Sequence, residues 1–177
     1  MNNLKAGGLA TEFSGTDYLG NPVASNHYKG KKVLLSFFRG ASCPFCNLRI
    51  HQLIKQFSEF EQQGIAIIAV FAASSKEISS YAGQQNAPFP IVSDPHLDLY
   101  RKYGIEATSW GMVRAMINPL KMIKVMFSGF FNMKSLNDKP LIPADFLIDE
   151  DQKLYRVYYG KDFGDHLSMK EILGWKR

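Results

Sequence analysis

Two runs of uninterrupted apolar character, Lys32 to Phe38 (Lys-Val-Leu-Leu-Ser-Phe-Phe) and Ile65 to Ala72, most constrain what this chain can fold into. A strand that is apolar at successive positions must be covered on both faces, and such strands belong to sheets sandwiched between helices. Between the two runs, Ile50, Leu53, Ile54, Phe57 and Phe60 recur at helical spacing. They predict one helix from Pro44 to Gln63, with Gly64 as its stop. Strand, helix, strand is the unit of an α/β layer structure.

The remaining pattern extends that layer. Ser74 and Glu77 have the spacing of a capping box, which predicts a helix up to Asn86. Ala87 to Asp94 reads as a loop and short strand, and Pro95 to Tyr103, closed by Gly104, as a short helix. Beyond Pro140 and Pro143, residues 145–149 and 154–159 flank a turn and predict an antiparallel hairpin, and Ser168 with Glu171 starts a last helix through Trp175. At the other end, Gly15, Asp17 and Gly20-Asn21-Pro22 punctuate short apolar pieces as a small N-terminal hairpin would. The expectation is a single α/β domain over residues 1–177, with a central mixed sheet flanked by helices.

Residues 107–137 interrupt this scheme. They carry four basic residues, no acidic one and five of the seven methionines, and are broken by Pro119 and Gly129. Two or three short amphipathic helices are expected there, as an insertion. Methionine side chains adapt to irregular surfaces, so the segment suits core or a homodimer interface, which helical spacing favours, a substrate or partner groove that includes Trp110, or contact with a membrane surface.

Charge and composition exclude more than they select. The 177 residues are 46% hydrophobic, enough for a core without a disulfide framework. The net charge of +5 is scattered, with no basic run longer than two, so no nucleic-acid partner is expected. Met112 to Phe131 is interrupted by Arg114, Asn118, Pro119, Lys121 and Lys124, so no membrane span is expected. The first eight residues lack the apolar core of a secretory signal, which points to the cytoplasm.

The only two cysteines stand three residues apart, in Cys43-Pro44-Phe45-Cys46, where a buried strand gives way to a helix. Cys43 suits an N-cap and Pro44 the first helical position. The positive end of the helix dipole, with Arg39 four residues earlier, favours the Cys43 thiolate. Cys46, one turn further in, is placed to close a disulfide with it and to be the better shielded of the two. A redox dithiol is the first reading. Structural thiols remain as an alternative, and so does zinc, which would need two further ligands. Of the four histidines only His51, on the same helix, invites a test; no cofactor or metal is expected.

Phe37-Phe38-Arg39-Gly40-Ala41-Ser42-Cys43-Pro44-Phe45-Cys46-Asn47-Leu48 resembles the active-site segment of the peroxiredoxin-like branch of the thioredoxin superfamily, within the alkyl hydroperoxide reductase/thiol-specific antioxidant grouping. Gly20-Asn21-Pro22-Val23, Phe89 to Asp94 and Ile142 to Asp149 resemble further segments of such proteins. The resemblance implies a thioredoxin-like fold and, for Pro143, the cis proline that packs against the C-x-x-C pair. It departs from the family in three places. On the peroxiredoxin Pro-x-x-x-Thr/Ser-x-x-Cys pattern, Arg39 stands for the proline, Cys43 for the threonine and Cys46 for the peroxidatic cysteine; the family arginine falls at Pro143; and the buried acid of thioredoxins falls at Phe37, leaving Asp145 as a substitute.

Two registers follow. In the thioredoxin register Cys43 attacks a substrate disulfide and Cys46 resolves it; in the peroxiredoxin register Cys46 is oxidised by hydroperoxide and Cys43 resolves it. The expectation is the first, with Cys43, Cys46, Arg39 and Pro143 as the catalytic set and Phe45 and Trp110 as substrate contacts. The thiol peroxidase is the alternative, and a redox sensor or binding module the third reading. Either enzyme draws electrons from a thiol donor, the thioredoxin or glutathione system.

Overall fold

The computed structural model describes residues 4–105 and 138–175, together with residues 107, 123, 126, 129, 130 and 135. Trp110 and most of the Met-rich insertion lie outside the described residues, and with them the expected insertion helices and homodimer face.

The chain opens with β1 (Ser14–Thr16) and β2 (Pro22–Ala24), the expected hairpin, closed by Gly20 at φ +95°. Next come β3 (Lys32–Phe38), α1 (Pro44–Lys55), α2 (Phe57–Gln62), β4 (Ile65–Phe71), α3 (Ser75–Ser80), β5 (Ile91–Ser93) and α4 (Asp98–Lys102). After the insertion stand β6 (Ala144–Ile148), β7 (Leu154–Tyr159) and a final helix, α5 (Met169–Leu173). The five longer-range strands form one mixed sheet in the order β5-β4-β3-β6-β7. β3 runs parallel to β4 and antiparallel to β6, so it is the central strand.

Both faces of β3 are buried, as its unbroken apolar run requires. Leu34 and Phe38 join Ile50, Leu53 and Phe60 under α1 and α2, while Val33, Leu35 and Phe37 face Tyr100, Tyr103 and Phe146 on the other side. Tyr100, wholly buried, donates its hydroxyl to the carbonyls of Phe38 and Val70, tying the ends of β3 and β4 together.

Three predicted helices are shorter than the sequence pattern suggests. The long helix breaks at Gln56, and the break lets Phe60 enter the core while Phe57 packs on Phe89. The helix after Ser74 has its capping box but ends at Ser80, where Tyr81 leaves helical geometry and a 3-10 turn follows. The helix expected from Pro95 begins only at Asp98, because the Asp94 carboxylate takes the N–H groups of Asp98 and Leu99 and Leu97 turns left-handed. The second capping box, Ser168 with Glu171, is formed as expected. Among the described residues no helix is long and apolar enough to cross a membrane.

Candidate active site

Cys43 is the N-cap of α1 and Pro44 opens it, just beyond the end of the central strand. Asn47 pins this corner: its side-chain amide donates to the carbonyls of Ala41 (2.8 Å) and Cys43 (2.9 Å). The Cys43 N–H donates to Gly40 at 3.2 Å, which closes the turn from strand to helix.

Both cysteines are free thiols and both are wholly buried, 0% exposed. This corrects the expectation that Cys46 is the better shielded of the two. Both thiols belong to the core cluster with Phe38 and Ile50, and Arg39, just past the end of β3, ties Ser135, Asp138 and Lys139 to this corner. The guanidinium donates to the carbonyls of Lys139 (2.9 Å), Ser135 (2.8 Å) and Asp138 (2.9 Å), with the Phe163 ring 4.2 Å away.

Burial does not set the two thiols alike. A hydrogen bond from the Cys46 thiol, helped by the Cys46 backbone and the Arg39 charge, holds Cys43 below the ordinary thiol range despite its desolvation. Cys46 is pushed far up, first by burial and then by donating its proton to Cys43 and by the charge there. The pair therefore has one member built to ionise and one built to keep its proton. The Asp138 carboxylate opposes this polarisation at Cys43.

Asp138 stands over Gly40, where a Cβ would collide with the carboxylate, so only glycine leaves it room. Its Oδ2 accepts from the Ser42 hydroxyl at 2.9 Å. Beside these residues lies an open cavity of about 550 Å³, lined by Ala41, Ser42, Lys76, Glu77, Ser80, Tyr81 and Asp138. A neighbouring one of about 380 Å³ shares Ser42 and Tyr81 with it.

A second polar cluster lies on the same face of the sheet. Asp145, wholly buried on β6, accepts from Ser36 (2.5 Å), from the Leu167 N–H (2.7 Å) and from His166 Nδ1 (3.0 Å). Burial raises its carboxyl, but His166, Arg49 and Ser36 outweigh that and hold it down at about 2. Arg49, buried on α1, donates to the Leu167 carbonyl at 2.8 Å; among the described residues its Nε and the Nε2 of His166 have no hydrogen-bond partner.

The structure thus brings Arg39, Cys43 and Cys46 together as the sequence predicts. Phe45 is half-buried, packs on Gly164 and lines a separate cavity of about 490 Å³ along α1. Pro143 is buried at the start of β6, and its carbonyl accepts from Gly160. No cis peptide bond occurs among the described residues, which corrects the expected cis Pro143; a trans bond is the lower-energy form and feeds the chain straight into β6. His51 lies 6.0 Å from the Phe130 ring, away from the thiols' hydrogen bonds. Asp138, Ser42, Asn47 and Gly40 were not singled out by sequence reasoning. The one available signal was that Asp138 is the first acid after a 31-residue stretch, 107–137, that contains none.

The model of the AhpC/TSA family matches residues 6–157. Peroxiredoxin Bcp of Escherichia coli (strain K12) is 27% identical over 175 residues, 99% of this chain and 97% of its own length. Thiol-disulfide oxidoreductase ResA of Halalkalibacterium halodurans is 32% identical over 102 residues, 57% of either chain. Among solved structures, a PrxQ mutant of Xylella fastidiosa superimposes with a TM-score of 0.72 over 98% of this chain and 96% of its own, at 14% identity. The expected thioredoxin-like fold, with its central mixed sheet, is the fold observed.

Proposed function

The chain belongs to the AhpC/TSA family and is a thiol-dependent oxidoreductase, and from that premise we propose that it reduces disulfides through a Cys43/Cys46 dithiol cycle. The observation that carries the reading is the placement of Cys43 as the N-cap of α1, hydrogen-bonded by Cys46 and beside the Arg39 guanidinium. A thiolate is the attacking species, and Cys43 is the member held in that form.

In the first step Cys43 Sγ attacks a substrate disulfide RS–SR′, forming a Cys43–S–S–R bond and releasing R′S⁻. Cys46 then loses its proton and attacks Cys43 Sγ, closing the intramolecular disulfide and releasing RS⁻. Two electrons from an external thiol donor, a thioredoxin or two molecules of a glutathione-like thiol, restore the dithiol. The raised Cys46 thiol suits a resolving group that stays silent until the mixed disulfide removes the charge beside it. Such a cycle belongs in a reducing compartment, which fits the cytoplasm.

Hydroperoxide reduction is the second reading, favoured by the names of the full-length relatives, which are peroxiredoxins. It assigns the attack to Cys46, the thiol whose environment opposes ionisation. The two readings separate on one measurement: the rate at which the reduced protein's thiols are consumed by hydrogen peroxide, beside their rate with a dialkyl disulfide, in the native chain and in Cys43→Ser. Fast disulfide exchange that Cys43→Ser abolishes is the expected result. Faster oxidation by peroxide, with a sulfenic acid still forming in Cys43→Ser, would overturn it in favour of the peroxidase.

A further inference from the structure

Buried polar atoms without a partner are rare in folded chains, and a group of them on one wall asks what they are for. Among the described residues four buried side-chain atoms lack a hydrogen-bond partner. Three of them, Arg49 Nε, Gln56 Oε1 and His166 Nε2, belong to residues that line one cavity, the one of about 490 Å³ along α1. Its volume lies in the range of small-molecule sites. It starts at the dithiol: Phe45, between the two cysteines, lines one end and Lys55, ten residues on, the other, about 15 Å of helix away. Arg49 is three residues beyond Cys46, on the same face of α1. The facing wall includes Gly164, where an added Cβ would lie 2.9 Å from the Phe45 ring. Phe163, next to it, packs on the Arg39 guanidinium, so one loop touches both the thiol corner and the cavity.

The unpaired atoms differ in kind. Arg49 Nε donates and Gln56 Oε1 accepts. His166 gives its Nδ1 proton to the Asp145 carboxylate, which leaves Nε2 as a further acceptor in the neutral ring. Water could serve such atoms, so charge has to name the occupant. Arg49 and Lys55 line the cavity, and its described lining holds no acidic residue. The two carboxylates that bond its walls are engaged already, Asp145 by His166 and Leu167, and Glu171 by Ser168 and Arg156. Leu48 and Met169 join Phe45 as the apolar lining. The complementary molecule has a carboxylate, an amide that both donates and accepts, and an apolar stem.

We propose that this cavity is a substrate subsite for small peptide disulfides that carry a free carboxylate. The disulfide lies at the Phe45 end, the carboxylate is drawn toward Lys55 and Arg49, and the peptide N–H and carbonyl answer Gln56 and Arg49. The cavity supplies binding alone, and the exchange at Cys43 is the one already described.

The inference rests on the disulfide-exchange reading, and the test separates the two. Consumption of the reduced protein's thiols is followed at neutral pH against increasing glutathione disulfide. It is followed in parallel against the ethyl ester, in which the glycine carboxylates are blocked and the disulfide is unchanged. The half-saturating concentration reports binding and the limiting rate reports exchange. Half-saturation is expected at a concentration at least about fivefold lower for glutathione disulfide than for the ester, with similar limiting rates. Lys55→Glu, at an exposed position, is expected to erase that preference and Lys55→Arg to keep it. Lys102→Glu, the same charge change on α4 at the other face of the sheet, is expected to keep it too. Gln52→Trp, which narrows the cavity, is expected to raise the half-saturating concentration for both compounds. Equal half-saturation for the two compounds in the native chain, a preference that survives Lys55→Glu, or an unchanged response in Gln52→Trp would overturn the subsite alone. If both compounds fail to consume the thiols of the folded native chain, the disulfide-exchange reading falls and the subsite falls with it.

Discussion

Around Asp145 each carboxylate oxygen is engaged and Arg49 stands behind it, so the charge is held in one state over the whole ordinary pH range. Around Cys43, on the same face of the same sheet, the influences pull against one another: the Cys46 thiol and the Arg39 charge favour the thiolate, while burial and Asp138 oppose it. Both corners are buried and polar, yet only the second holds the thiols. The difference teaches where chemistry sits in this fold. A satisfied buried charge contributes rigidity, and a contested one is available for reaction.

Breaking the satisfied corner should have the largest effect on the fold and the least on the thiols. Asp145→Asn leaves Arg49 buried without its counter-charge and Ser36 and Leu167 with a poorer acceptor. A loss of about 3–5 kcal/mol is expected in urea unfolding, with the Cys43 alkylation profile unmoved. A large shift in that profile would mean the two corners are one electrostatic unit. Arg39→Met is the converse. It strips three carbonyls of their shared donor and removes the cation beside the thiols, so a loss of about 2 kcal/mol should accompany a Cys43 thiol that titrates at higher pH. Unchanged alkylation of the folded variant at neutral pH would show that Arg39 only fastens the loop.

Acid probes the same contrast without mutation. The Asp145 carboxyl is depressed to about 2 from an ordinary 3.8, so its contribution is complete above the ordinary value and disappears as pH falls through about 2. The difference corresponds to roughly 2 kcal/mol. Acid unfolding followed by circular dichroism should therefore steepen between pH about 4 and 2, and Asp145→Asn should flatten that part of the curve.

What was legible in the sequence were the features whose partners are near in the chain. The two apolar runs gave the buried strands, the Cys43-Pro44 dipeptide gave the helix start, and both capping boxes formed because each links residues three apart. The halves of the buried polar corners are separated by much longer stretches: 96 residues between Ser42 and Asp138, and 109 between Ser36 and Asp145. No local pattern marks such pairs. Arg49 was hidden for a related reason, since it sits beside the apolar stripe of α1 and is buried by a counter-charge that arrives from β6. The lesser shielding of Cys43 and the cis Pro143 were expectations about tertiary surroundings, which no local pattern encodes.

The smallest expected effect tests whether the cavity wall beside Cys43 is held by its local chemistry. Ser74 caps α3 by accepting from the Glu77 N–H, while the Glu77 carboxylate accepts from the Ser74 N–H and hydroxyl. Ser74→Ala removes the hydroxyl from both bonds, which should cost about 1 kcal/mol, and the Glu77 carboxyl, held below its ordinary value first by that hydroxyl, should titrate higher. Lys76, Glu77 and Ser80 all line the cavity, so a frayed α3 would loosen its far wall while leaving Gly40, Ser42 and Asp138 in place. Disulfide exchange should then slow by less than about threefold. A greater loss, with the pH profile of alkylation unchanged, would locate substrate binding on α3 and shift weight from the contested charges at Cys43 to the wall that faces them.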